Sequence, residues 1–242
     1  RLYLSTIDPA AGNVARQYGL GIEIAEFCTA WNLDRELSAT KKTLKKTLAG
    51  ISRRLLHGPF NELFPCAIDP KARELTAFRF SQAAALAREY GATKLVLHGG
   101  FNPQMYYRQW YVEQSAVFWR EFLAKLPEGL TVCVENVLEP MPDMLLDILR
   151  KVDDPRLRLC LDVGHVNAYS KVPAKTWIAE SGAYLSHLHI HNNDSSWDTH
   201  SALFEGTLPI RELLETAMEK VDVTATLELP DCLPSVKWLL EE

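Results

Sequence analysis

Four histidines (His187, His189, His191, His200) and two aspartates (Asp194, Asp198) crowd the fourteen residues "HLHIHNNDSSWDTH". Imidazole is the commonest protein ligand for transition metals, and a carboxylate is its usual companion. The lead-in "YLSHLHIH" alternates apolar residues with histidine, which predicts a strand carrying His187, His189 and His191 on one face. Taken alone, the stretch reads either as part of a metal site or as a polar loop after an edge strand.

The elements that must position these groups are eight short apolar runs: "RLYLST", "GIEIAEF", "RRLLHGPF", "TKLVLHGG", "TVCVENV", "RLRLCLDVGH", "YLSHLHIH" and "TATLELP". Helical patterns lie between them. "SQAAALAREYG" closes at Gly91, "SAVFWREFLAKLPEG" closes near Gly129, and "MPDMLLDILRKV" and "PIRELLETAMEKV" repeat apolar residues at helical spacing. Alternation of this kind predicts parallel β/α units. Eight of them predict an α/β fold of the closed (β/α)8 TIM-barrel type, one domain over residues 1–242, with a doubly wound open sheet as the other topology to consider.

Metal-capable side chains recur near the C-terminal ends of those runs: Glu26, His57, His98, Glu135, Asp162 with His165, His189 and Glu228. In a barrel these ends converge on one face. A buried carboxylate or imidazole is costly unless it is paired or bound to a cation, so the recurrence points to a shared ion. Glu135, Asp162, His189 and Glu228 form a mixed oxygen and nitrogen set suited to Mn²⁺, Zn²⁺ or Mg²⁺. His57 and His98 offer a second position, and His165, Asp198 and His200 a third. Several divalent ions side by side suit substrates with phosphate or vicinal oxygens.

Composition narrows the classes. The chain has 242 residues, 47% hydrophobic and 24% charged, which is ordinary for a globular protein. No apolar run approaches the roughly 20 residues that span a bilayer. The first residue is Arg1 and no signal-peptide pattern follows, so a trimmed start is expected. Five cysteines without paired spacing (Cys28, Cys66, Cys133, Cys160, Cys232) predict a reduced, cytoplasmic protein, with Cys133 and Cys160 acting as small core residues. A net charge of −5 disfavours a broad nucleic-acid surface. Lys41, Lys42, Lys45 and Lys46 in "SATKKTLKKTLAG" read as a solvated helix face.

With these pieces assembled, the chain resembles the xylose-isomerase-like TIM barrels, the superfamily of sugar isomerases and epimerases and of endonuclease-IV-type AP endonucleases (AP endonuclease family 2). The pieces that carry the resemblance are "ENV", "LDVGH", and "HLHIHNND" followed by "DTH" and "EG", in a likeness running from "GIEIAEF" to "TLELP". In the endonuclease branch the resemblance implies three zinc ions held at His57, His98, Glu135, Asp162, His165, His189, Asp198, His200 and Glu228, with Glu135 bridging two of them. In the isomerase and epimerase branch it implies one Mn²⁺-type ion on Glu135, Asp162, His189 and Glu228. There the two glutamates also serve as an acid–base pair, moving a proton between neighbouring carbons through a metal-stabilised enediolate, and His165 contacts the substrate. The chain reads "LFEG" at Leu203–Gly206 where the endonucleases tend to read "LGEG".

His187 and His191 match no family ligand and are expected to support the ligands; Asp194 is expected to serve the turn. Glu26 reads as a substrate contact, a support for a ligand, or a strand-end ion pair. Trp31, Phe60, Phe101, Tyr106, Tyr107 and Trp110 follow strand ends, where aromatics line a sugar or base pocket or cover the core.

Three functions are weighed. The first is a metal-dependent isomerase or epimerase acting on a small-molecule carbohydrate or sugar phosphate, favoured by the acidic balance and by loops poor in arginine. The second is a three-metal phosphodiesterase of the AP endonuclease type, supported by the full set of nine ligand types. The third is a non-catalytic binding barrel, disfavoured because every ligand type is present. The expected cofactor is one to three Zn²⁺ or Mn²⁺ ions per chain. Nucleic acid is disfavoured as a partner, a membrane is not expected, and homo-oligomerisation is left open.

Overall fold

In the computed structural model, which describes residues 1–126, 128–219 and 222–241, each apolar run contributes a strand. They are β1 (Leu2–Ser5), β2 (Gly21–Ile24), β3 (Arg54–His57), β4 (Lys94–His98), β5 (Thr131–Glu135), β6 (Leu157–Asp162), β7 (Leu185–Ile190) and β8 (Thr224–Leu227). Neighbours pair in chain order and in parallel, and β8 closes on β1 through Leu2↔Ala225, Tyr3↔Thr226 and Leu4↔Leu227. Closure satisfies the backbone at both edges and sets aside the open doubly wound sheet.

Strand residues alternate between two environments. Leu4, Ile22, Ile24, Leu56, Leu95 and Leu97 pack outward into one continuous apolar layer with the helices. Inside the barrel the only apolar cluster among the described residues is Val96, Cys133 and Cys160. Barrels of this kind usually fill their interior with layers of Val, Ile and Leu. Here Lys94, Thr224, His187, Glu23, Thr226 and His189 take much of that space, in hydrogen-bonded contact with one another. All five cysteines are free, and Cys133 and Cys160 are the small interior residues expected.

The helices follow the patterns with three corrections. The helix before β4 runs Pro70–Glu89, started by Asp69, whose side chain accepts from the Lys71 amide, and by Pro70 in the first turn. The next ends at Leu123 and does not extend toward Gly129, which sits at φ +82° in the turn entering β5. The second correction is in "RLRLCLDVGH": β6 stops at Asp162, and Val163–Tyr169 is a helix. The helix Ile210–Met218 is shorter than its pattern, whose Lys220 and Val221 lie outside the described residues. No helix among the described residues is long and apolar enough to cross a membrane.

Candidate metal centre

Strand register brings the candidate ligands together. His98 pairs with Glu135 across β4 and β5, and Asp162 pairs with His189 across β6 and β7. His57 ends β3, and Glu228 follows β8, its amide donating to the Ile190 carbonyl. Glu135 is the hub. Its Oε2 lies 3.1 Å from His57 Nε2 and 3.3 Å from His98 Nε2, and its Oε1 lies 3.1 Å from His189 Nδ1. His189 Nδ1 is also 3.5 Å from Glu228 Oε2 and 3.9 Å from Asp162 Oδ2. One ligand atom from each of Glu135, Asp162, His189 and Glu228 falls within 4.8 Å of the others, as does one from each of His57, His98 and Glu135.

A third group forms beside them. Asp198 Oδ2 is 3.2 Å from both His165 Nε2 and His200 Nε2. Asp162 caps the helix Val163–Tyr169 by accepting from the His165 amide at 2.7 Å, which places His165 one turn in, facing the pocket. Asn136 ties β5 to β6 past the ladder, accepting from the Asp162 amide at 2.8 Å and donating to its carbonyl at 3.1 Å.

The loop carrying Asp198 and His200 is pinned by asparagines. Asn192 pairs with Ser201 through the backbone, and its side chain donates to the Leu203 and Leu208 carbonyls. The Asn193 side chain donates to the Gly164 carbonyl. His200 itself sits at φ +48°, a strained backbone for a non-glycine residue that the surrounding bonds must hold. Its ring stacks on His191 with centroids 3.9 Å apart. His191 leans so close to Gly164 that a Cβ there would overlap its ring.

The donor set fits divalent cations, and the reason lies in the second nitrogen of each ring. A backbone carbonyl only accepts, so a ring nitrogen against one carries the proton. His57 Nδ1 donates to the Gly58 carbonyl at 2.9 Å, His165 Nδ1 to the Asn136 carbonyl at 2.8 Å, and His200 Nδ1 to the Glu228 carbonyl at 2.8 Å. In the neutral ring each Nε2 then directs a lone pair at a carboxylate, and the contact is favourable only with a proton or a metal cation between them. Among the described residues, His191 Nδ1 and Asp198 Oδ1 are buried polar atoms without a hydrogen-bond partner, both beside the third group.

The same crowding moves the titrations. Burial opposes charge on Glu135, but His189, His98 and His57 outweigh it and hold the carboxyl well below the usual range. Burial raises Glu228, and His189 offsets only part of this. Burial alone would lower His165 and His200; Asp162 and Asp198 push the first up to about 10, and Asp198 leads the groups that push the second up to about 9. His98 goes down because its burial outweighs Glu135.

The remaining sequence candidates divide. Phe60 stacks on His98 with centroids 4.4 Å apart, and Trp31 is 64% exposed. Glu26 lies past the end of β2 and accepts from Thr6 Oγ1 at 2.5 Å. Tyr106 and Phe101 are buried against Phe64 and Tyr111 respectively, as core residues. Tyr107 is exposed, and Trp110 donates to the Cys66 carbonyl. Asp194 holds the turn by accepting from Ser196. His187 bonds Glu23, and His191 lies 3.1 Å from Asp162 Oδ1. Glu23 itself is a residue that sequence reasoning passed over. It is fully buried and bonds both His187 and His189, and its signal was a carboxylate between two isoleucines inside a strand.

A family model described as "Xylose isomerase-like TIM barrel" matches residues 14–240. The chain belongs to the xylose isomerase-like TIM barrel family. Among proteins like it, the uncharacterized protein MJ1311 of Methanocaldococcus jannaschii is 28% identical over 180 residues, 68% of this chain, and the chain spans 60% of that protein's length. Among solved structures, a D-tagatose 3-epimerase-like protein superposes with a TM-score of 0.81 at 20% identity, over 100% of this chain and 96% of that one. The TTHB071 protein of Thermus thermophilus, from a soak with zinc chloride, superposes with a TM-score of 0.77 at 24% identity, over 99% and 96%. At these identities the likeness to both structures speaks for the shared barrel.

Proposed function

We propose that this xylose isomerase-like barrel, one domain over residues 1–242, is a divalent-metal-dependent isomerase or epimerase of a sugar or sugar phosphate. The observation that carries the reading is the meeting of Glu135, Asp162, His189 and Glu228, from successive β-strand ends, with ligand atoms within 4.8 Å of one another. These four would hold one ion, and zinc or manganese suits the mixed donor set. When bound, the ion supplies the positive charge that offsets the carboxylates and polarises a substrate oxygen.

The two glutamates supply the proton chemistry. Glu135, held ionised, accepts a proton from the carbon beside a substrate carbonyl. Glu228, the second carboxyl of the pair, returns a proton to the neighbouring carbon or to the opposite face of the same carbon. One proton leaves and one arrives, so the reverse reaction uses the pair with roles exchanged. His165, its Nδ1 fixed on the Asn136 carbonyl, presents Nε2 as a substrate contact. Phe60 and Trp31 offer faces for sugar C–H groups, while Glu26 and Tyr106 shape the same loops from behind. The D-tagatose 3-epimerase-like structure supports the substrate class, the zinc-soaked structure supports the metal, and the free cysteines support a reducing, cytoplasmic setting.

A second reading is kept because the His165, Asp198 and His200 group and the His57, His98 and Glu135 group are both fully assembled. Three ions so placed would suit a phosphodiester, as in the AP endonuclease branch. One experiment separates the two. Purified protein is incubated with a panel of ketoses and with an abasic-site duplex. Aldose–ketose or C3 exchange abolished by Glu228→Gln supports the isomerase; strand cleavage abolished by His200→Ala supports the phosphodiesterase and removes the first reading.

A further inference from the structure

The polar groups filling the barrel interior form one continuous hydrogen-bonded column. It begins at the end opposite the candidate metal centre, where a cavity of about 700 Å³ is lined by Tyr3, Lys94, Met218 and Thr224 among others. From there Lys94 Nζ donates to Thr224 Oγ1 at 2.9 Å, and Thr224 Oγ1 lies 2.7 Å from His187 Nδ1. His187 Nε2 lies 2.9 Å from Glu23 Oε2, and Glu23 Oε1 lies 3.0 Å from His189 Nε2. The other nitrogen of that last ring, Nδ1, faces Glu135, Glu228 and Asp162.

Both fixed points of the column have a single polarity. A lysine ammonium only donates and an ionised carboxylate only accepts. Glu23 therefore takes the proton of His187 Nε2 on one oxygen and that of His189 Nε2 on the other. In a neutral His187 the bare Nδ1 must then accept from Thr224, whose oxygen is already accepting from Lys94. Thr226 adds a further donor to Glu23. Nothing in the column can reverse without setting two donors or two acceptors against each other.

We propose that Glu23 is a positioning residue for the metal centre: anchored through His187 and Thr224 on Lys94, it holds the proton of His189 on Nε2 and so keeps Nδ1 free as the ligand atom. His57, His165 and His200 have their second nitrogen held by a backbone carbonyl. His189 points its ligand nitrogen the other way round, and a buried side chain takes the place of the carbonyl. The inference rests on the metal-binding part of the proposed function, and its test keeps the two apart.

The test uses the full chain labelled with ¹⁵N-histidine, read by long-range ¹H–¹⁵N correlation without metal and with zinc chloride, alongside zinc affinity from chelator competition. The expected wild-type spectra show His187 protonated on Nε2 in both states, and zinc-loaded His189 protonated on Nε2 with Nδ1 carrying the zinc shift. Glu23→Gln, whose amide no longer only accepts, is expected to mix the His189 tautomers and weaken zinc binding about 10- to 100-fold. Glu23→Asp, which restores a carboxylate, should recover part of that loss. Wild-type His187 protonated on Nδ1, or Glu23→Gln with zinc affinity within about twofold and an unchanged His189 tautomer, overturns the proposal. Wild-type protein that binds no zinc removes the metal reading, while the His187 tautomer still decides whether the column is polarised as described.

Discussion

Removing metal should make this protein lose stability as pH rises, and zinc should abolish that loss. In the folded, metal-free chain His165 is pushed up to about 10 and His200 up to about 9. The unfolded chain releases both protons near the ordinary value of about 6.5. A folded-state value raised in this way gives stability that is complete below about 6.5 and declines as pH climbs toward the folded values. Each proton held only by the folded state is worth about 1.4 kcal/mol per pH unit, so the two rings set a ceiling of about 2.7 kcal/mol per pH unit. They share one counter-charge, Asp198, and the His200 side chain is 31% exposed, so the ceiling must be discounted for screening. A loss of about 1 kcal/mol per pH unit between pH of roughly 7 and 9 is expected. His57 and His189 are shifted in the same direction and add to it; His98 and His187, shifted down, act only below about pH 6.5. Urea unfolding in EDTA across this range measures the slope, and Asp198→Asn should flatten it. With zinc present the slope should vanish over this range, because binding displaces those protons and the unfolded chain has already released its own. Metal-free stability that is level or rising over the range, or a slope that Asp198→Asn leaves untouched, would refute the reasoning.

Two further predictions follow from single contacts. Gly164→Ala drives a methyl into the His191 ring, which is held by Asp162 and stacked on His200; it should cost about 1–3 kcal/mol in urea unfolding and reduce the zinc stoichiometry, and a change under about 0.5 kcal/mol would show that the ring is free to move. Glu228→Gln should lower kcat by about 10²- to 10⁴-fold on the sugar that the panel identifies, as expected for loss of a proton-transfer group. An unchanged kcat would take Glu228 out of the chemistry.

Much of the site was legible because barrels place strand C-termini on one face. His57, His98, Glu135, Asp162, His189 and Glu228 each lie at or near the C-terminal end of an apolar run, so the fold alone brings them together. Glu23 was not legible by that rule. It lies inside its strand, between Ile22 and the last residue Ile24, and Glu26 in "GIEIAEF" drew the attention instead. Parity was the missed signal: Ile22 and Ile24 face the helices, so Glu23 between them faces the interior. His191 shares the parity of His187 and His189, but β7 ends at Ile190 and its ring serves Asp162 at the mouth. The helix beginning at Val163 was hidden because Asp162 is at once the last strand residue and the helix cap. Tyr106 reads as a pocket aromatic by position, yet its loop folds back and buries it against Phe64.

The number of divalent ions the chain retains decides whether these strand ends form a metal centre. Protein saturated with zinc chloride, freed of excess by gel filtration and analysed by inductively coupled plasma mass spectrometry, should hold at least one zinc per chain, and Glu135→Ala should hold fewer. A wild-type chain that retains none would contradict the metal centre.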